Sequence, residues 1–346
     1  MTGNFQTLNE FLEKIEKNEK NKNDYLVNSK SMNMFNDSAL AIHKEETPAG
    51  FELTDYAHGQ LASKLNIPKK YYDKMGEISG LRSYNVNQWF KNQPQTQIVR
   101  TLDGKARAFL SDRFKPIDNH FVLQAFLPTL QKYPQLEVKS SSLTDMRMYL
   151  QITFPTLERE VSTGDVVRAG VVLTNSEVGA GAVDIKSMIW RLACSNGMIS
   201  GSVLRRYHVG RRVGSNEEDY GLFQDDTIKA ELESYRLRMR DVLADALTET
   251  SFETQVAKLQ DAVEDKILKP NKTVENVTKR FGLTQDQGES ILSNMVNELN
   301  LNRYGLANGI THLAHETKSI EEQYAMEKLG NDIIELKPDE WEILVA

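Results

Sequence analysis

The sequence predicts an α+β protein: a largely antiparallel, twisted sheet over about residues 97–212, flanked by an N-terminal helical hairpin and a C-terminal helical subdomain. Three observations carry that expectation. Alternating apolar patterns and hairpin signals crowd between residues 97 and 200, helical periodicity fills the chain after Gly214, and a Thr-capped helix pair precedes the strands. The same reading divides the chain into 1–50, an N-terminal helix and weakly patterned segment; 51–96, the helical hairpin; 97–214, the sheet core; and 215–346, a helical region with an acidic end.

Leu8, Phe11, Leu12 and Ile15 recur at helical spacing, so a short amphipathic helix opens the chain. KNEKNKND follows as a solvated linker, and residues 25–52 leave room for two short strands. Thr54 is placed to cap a helix from Asp55 to about Leu65, Asn66 stops it, and Pro68 suits the first turn of the next. This hairpin either reads DNA or simply packs, and Lys69, Lys70 and Lys74 favour phosphate contact if exposed. TQIVRTLDGKARAFLSDRF then alternates about Asp103-Gly104, a strong hairpin signal. In NHFVLQAFLPTLQKY, Val122, Phe126 and Leu130 mark a helix. LEVKSSSLTDMRMYLQITFP supplies two strands, DVVRAGVVLTNSE another, and AVDIKSMIWRLACSNGMI the last, with Asn196-Gly197 as a turn signal. Ile228, Leu232, Tyr235, Met239, Val242 and Ala246 form a helical stripe running to about Lys266. A helix pair follows with Gly282 as its C-terminal stop, and residues 304–329 are the last helical segment.

Composition bounds the function. With 40% hydrophobic and 26% charged residues, and no apolar run near the roughly 20 residues that span a bilayer, the chain reads as soluble and cytoplasmic, without a membrane partner. One cysteine excludes an internal disulfide and a multi-cysteine zinc site. Net charge is −7, yet from Lys186 to Arg212 there are six Lys/Arg and no Asp/Glu, while the segment from Glu316 holds nine acidic and three basic residues.

Four blocks, ARAFLSDRFKPIDN, AGVVLTNSEVGAGAVDI, WRLACSNGMI and RYGLANGITHLAHE…YAMEKLGNDII, resemble, in that order, the phage- and plasmid-borne family catalogued as domain of unknown function 932. The segment HGQLASKLNIPKKYYDKM…YNVNQWF also sits where that family carries a similar one, so the resemblance covers roughly residues 55–335. It implies a mobile-element or viral setting and brings no catalytic residues with it.

Candidate chemistry is sparse. Cys194 lies in an apolar strand pattern with the six histidines scattered, which favours a small core residue over a nucleophile. Asn175, Ser176 and Glu177 precede GAGA, which lacks a phosphate-loop lysine and reads as a structural turn. Asp103, Asp112, Asp118 and Glu177 do not have a spacing that demands a two-metal nuclease, and His312 and His315 lack a third ligand. No catalytic residue, metal or cofactor is therefore expected. The basic run is the main clue: Arg205, Arg206, Arg211 and Arg212, with Tyr207 and His208 between them, pair guanidinium forks with rings that stack bases. Lys105 and Arg107 share one strand face, and Arg113 follows; if that face adjoins the arginine loop, a groove exists. The function expected is single-stranded nucleic-acid binding or annealing in replication or recombination, by a homo-oligomer, without covalent chemistry. The alternatives are a module that binds a host protein through its acidic end and a metal-dependent nuclease.

Overall fold

Two six-stranded sheets organise the chain, and the α+β class holds. The structure, a computed structural model, describes residues 3–4, 7–43, 49–206 and 225–346. A two-residue strand, β1 (Gly3–Asn4), precedes helix α1 (Leu8–Asn21), where the Thr7 hydroxyl accepts the Glu10 N–H and Phe11 and Ile15 are buried. The first sheet then gathers β2 (Lys22–Asn28), β3 (Met32–Phe35), β4 (Ala39–Ile42), β5 (Ala49–Leu53), β6 (Thr96–Leu102) and β7 (Lys105–Ser111), in the order β2-β6-β7-β5-β4-β3.

The strands from residue 97 onward were expected in one sheet, and they divide between two. The β6–β7 hairpin forms about Asp103 and Gly104, both at positive φ. Its outer edges pair backwards along the chain: β6 with β2 from Lys22↔Leu102 to Asn28↔Thr96, and β7 in parallel with β5 through Glu52↔Lys105 and Leu53↔Ala106. A hairpin signal specifies its own turn and says nothing about which strands its edges accept. The weakly patterned segment before it supplies those partners.

Helices α2 (Asp55–Lys64), α3 (Lys69–Met75) and α4 (Leu81–Asn92) cover this sheet, packing Leu61, Tyr72, Met75, Val86 and Phe90 on Met34, Leu40, Val99 and Phe109. Thr54 caps α2 by accepting the Ala57 N–H at 3.2 Å, and Asn66 ends it in the left-handed region at φ +54°.

The second sheet is antiparallel throughout: β1, β8 (Glu137–Leu143), β9 (Met148–Ser162), β10 (Asp165–Asn175), β11 (Val183–Arg191) and β12 (Asn196–Arg206), in that order. Its apolar face, including Leu150, Ile152, Phe154, Val171 and Ile185, packs with α5 (Asn119–Leu130), α6 (Asp225–Ala246), α7 (Glu249–Glu264) and their neighbours into the main core. On α6 the expected stripe is buried at Tyr235, Met239 and Ala246.

The C-terminal helices are α8 (Pro270–Phe281), stopped by Gly282 at φ +68°, α9 (Gln285–Asn297), α10 (Arg303–His312), α11 (Ile320–Ile334) and α12 (Pro338–Val345). The expected single segment over 304–329 therefore breaks into α10 and α11.

The second sheet is strongly curled. Glu327 on α11 takes hydrogen bonds from the Gln151 amide on β9 and from the Gly197 N–H on β12. By the strand register these donors lie three strands and four residues apart, about 19 Å in a flat sheet. One glutamine side chain and one carboxylate cannot span that, so the sheet bends around Glu327. Register shifts on β8–β9, β9–β10 and β11–β12 produce the bend. Gly170, at one shift, leaves no room for a side chain: a Cβ would stand 2.7 Å from the Ile152 carbonyl oxygen.

Candidate nucleic-acid interface

The two sheets meet at a seam built by the polar run after β10. Asn175 Nδ2 donates to the Ile117 carbonyl at 2.9 Å and to Asn119 Oδ1 at 2.8 Å. Ser176 Oγ donates to the Met146 carbonyl at 2.7 Å and accepts the Ala180 N–H at 2.8 Å. Glu177 Oε1 accepts the Asn119 N–H at 2.9 Å, and its Oε2 accepts both terminal nitrogens of Arg107 at 3.1 and 3.2 Å. Asn175, Ser176 and Glu177 are all buried, so their polar groups need these partners. Gly179, at φ +80°, lets the chain turn back with its Cα close to Leu110. From the first sheet, Gln60 on α2 donates to the Val178 carbonyl and accepts the Phe109 N–H, each at 2.8 Å. The stretch is thus a structural turn, and it fastens one sheet to the other.

A charge cluster backs the seam. Arg100 on β6 donates to Asp24 at 2.8 Å, to Asp118 at 2.7 Å and to the Glu177 carbonyl at 2.8 Å, and Lys22 also pairs with Asp118. Burial pushes the Asp118 carboxyl up, but Arg100 and Lys22 outweigh it and hold it below its ordinary range. Asp118 is therefore an ion-pair anchor, its Oδ1 accepting from Arg100 and its Oδ2 from Lys22. Among the described residues no group of three or more His, Cys, Asp or Glu is placed to hold a metal ion.

The predicted basic residues fall unevenly around this seam. Arg107 is committed to Glu177. Lys105 is exposed beside the β6–β7 turn and faces Leu102, which lines a cleft at the seam together with Asn18, Arg107 and Met146. That cleft holds about 20 Å³ of free space, room for a water and not for a base. Arg113 sits in the turn after β7, next to Phe114, which packs with Val178. Across the seam, β12 pairs Asp184↔Arg205 and Val183↔Arg206. The basic run thus leaves the second sheet at the same end as the Glu177 turn. The Arg206 guanidinium lies 4.5 Å from the ring centre of Tyr235. Tyr207, His208, Arg211 and Arg212 lie outside the described residues.

A second polar cluster was not anticipated. Arg191 on β11 bonds Asp165 at 2.8 Å and Glu298 at 2.6 Å, and the Cys194 thiol donates to Glu298 at 2.9 Å. Burial first, and then the Glu298 carboxylate, push this thiol up to about 11. The thiol form of Cys194 therefore predominates at neutral pH, which disfavours attack by its thiolate. It is half-buried among polar groups, outside the apolar core expected for it. Asn196 donates to Thr311 on α10, and His315 bonds the Cys194 carbonyl at 3.0 Å. The Asn196-Gly197 pair opens β12; the turn lies one step earlier, with Ser195 at φ +50°. Asn196 is held in the strand because its amide is needed by the C-terminal helices.

No curated protein and no solved structure matches the chain. Among the described residues no helix is long and apolar enough to cross a membrane. A family model matches residues 108–328, well over half the chain, so the helical hairpin of α2 and α3, expected within the resemblance, lies outside the matched span. By that match the chain belongs to the family described as domain of unknown function DUF932.

Proposed function

We propose that this protein of a phage or plasmid binds single-stranded nucleic acid along the seam between its sheets, in the cytoplasm of the host, and promotes annealing without covalent chemistry. The observation that carries the reading is the arrival of Arg205 and Arg206 on β12 at the sheet end where the Glu177 turn docks against the strand of Lys105 and Arg107. In sequence, residues 205–212 hold four arginines, a tyrosine and a histidine. Arginine forks take phosphates in pairs, and rings stack bases without regard to sequence. The remaining acidity, net −7 over the chain, keeps non-specific polyanion binding low and concentrates attraction at such a run.

The test is fluorescence anisotropy with labelled single- and double-stranded oligonucleotides across a salt series. The affinity for single strands falls with salt, with a slope of about −0.7 per phosphate neutralised. Replacing Arg205, Arg206, Arg211 and Arg212 by alanine abolishes binding and leaves the circular dichroism unchanged. Absence of binding at low salt refutes the reading and turns attention to a host protein captured by the acidic C-terminal helices. The reading includes a homo-oligomer, measured by light scattering with and without oligonucleotide. Leu268 and Leu299, 90% and 87% exposed, are apolar side chains that a second copy would cover.

A further inference from the structure

Helices α3 and α4 combine positive charge with exposed rings. Between residues 64 and 93 stand six Lys/Arg and two acidic residues, in a chain of net charge −7. Some of that charge is committed. Arg82 donates to the carbonyls of Asp37, Tyr72 and Asp73, binding α4 to α3, and Lys69 pairs with Asp73 at 2.6 Å. Among the described residues no ion pair engages Lys70, Lys74 or Lys91. Beside them Tyr71 is 53%, Tyr84 64% and Trp89 38% exposed. Their neighbours Tyr72, Met75, Val86 and Phe90 supply the buried faces of the same helices, so folding of this unit does not require the outer rings. On α4, Tyr84, Gln88 and Lys91 recur at i, i+4 and i+7 and share one outer row.

Positive charge selects a polyanion. Exposed rings select one whose own rings are open to stacking, which excludes a duplex interior and a bare phosphate surface. We propose that the α3–α4 face is a second binding surface for single-stranded nucleic acid, with bases stacked on Tyr71, Tyr84 and Trp89 and phosphates held by Lys70, Lys74 and Lys91. The inference rests on the nucleic-acid reading above and extends it to a part of the chain that the family match does not reach. Position supports it. Lys64, at the end of α2, lies within electrostatic reach of Asp112, the neighbour of Arg113 at the seam. Gln60 of the same helix bonds the Val178 turn. The end of α2, which leads into α3, therefore lies beside the segment that carries Arg113.

Trp89 offers a direct readout in the full-length protein. Of the three tryptophans, Trp190 and Trp341 are each only 8% exposed, so quenching by added oligo(dT) reports chiefly on Trp89. The expected result is quenching in parallel with anisotropy, and its loss in Trp89→Phe. Tyr71→Ala with Tyr84→Ala weakens binding at least tenfold. Lys70→Glu, Lys74→Glu and Lys91→Glu together reduce the salt slope by about 2, from three phosphates at about 0.7 each. All of these sites are exposed, and circular dichroism checks that the fold is kept. If the lysine and tyrosine variants bind as the parent does while the four-arginine variant does not, the second surface is refuted and the seam stands. If the parent binds no oligonucleotide, both fall. Trp89 quenching by polyglutamate to the same extent as by oligo(dT) overturns the base-stacking inference in favour of an acidic protein partner.

Discussion

Removing the Glu177 carboxylate tests whether the seam holds the two sheets together. Glu177 is 6% exposed and receives three hydrogen bonds, two from Arg107 at 3.1 and 3.2 Å and one from the Asn119 N–H at 2.9 Å. Glu177→Ala deletes the carboxylate and leaves a half-buried guanidinium and a buried N–H without their acceptor. Breaking one side of a buried pair costs about 3–5 kcal/mol, and the orphaned N–H belongs within that sum. The expected loss is therefore about 3–4 kcal/mol, since Arg107 keeps some access to water. Urea unfolding followed by tryptophan fluorescence measures it. Trp89 lies on α4 over the first sheet, whereas Trp190 is on β11 of the second, so loss of coupling splits the transition into two. Arg107→Ala and the double variant close a thermodynamic cycle, and the coupling between the two sites should exceed about 1 kcal/mol. A Glu177→Ala protein within about 0.5 kcal/mol of the parent, unfolding in one step, refutes the seam as the joint between the sheets.

Glu327 makes stability depend on pH. It is 1% exposed with only amide donors around it, and burial raises its carboxyl from 4.5 to about 7 despite the bonds from Gln151, Gln323 and Gly197. Between those values the folded chain keeps a proton that the unfolded chain has lost, so stability falls as pH rises from about 4.5 to 7, by about 3 kcal/mol, and then levels; Glu327→Gln should flatten this part of a urea-midpoint series. Gly170→Ala forces a Cβ to within 2.7 Å of the Ile152 carbonyl oxygen and Met188 Cε, and calorimetry should show about 1–3 kcal/mol of destabilisation. The Cys194 thiol, at about 11, should react slowly with maleimide at pH 8; Glu298→Gln removes the carboxylate that helps hold it up and should speed labelling at pH 9.

Local signals were legible in the sequence where a residue's role closes within a few positions. Thr54 caps its helix, Asp103-Gly104 turns its hairpin and Gly282 stops α8, each through backbone geometry within one turn. Partner choice was not legible. Seven residue pairs between β2 and β6 bridge more than 65 positions, and β2 carries no strong alternation because only Val27 is buried and the apolar Leu26 is left exposed. The polar run at Asn175 was visible as an anomaly at the end of an apolar strand. Its partners, Asn119, Arg107 and Met146, come from three other segments and leave no mark at that spacing. Cys194 misled for the opposite reason: an apolar local pattern hid a pairing with Glu298, 104 residues away.

The same long-range pairing decides which positive charges can act outward. On sequence alone, Lys105 and Arg107 share one strand face, and Arg100 and Arg113 lie on the same hairpin and its exit. Folding withdraws Arg100 and Arg107: the Arg100 side chain is 4% exposed among Asp24, Asp118 and the Glu177 carbonyl, and Arg107 closes on Glu177. A buried guanidinium already ringed by carboxylates contributes little field at the surface, because its partners neutralise it at contact distance. Among the described residues, lysines that no ion pair engages stand at one margin of the seam, Lys70, Lys74 and Lys91 of α3 and α4. The seam arginines hold the two sheets in register, and the margins are where salt-dependent affinity should be lost when charge is reversed.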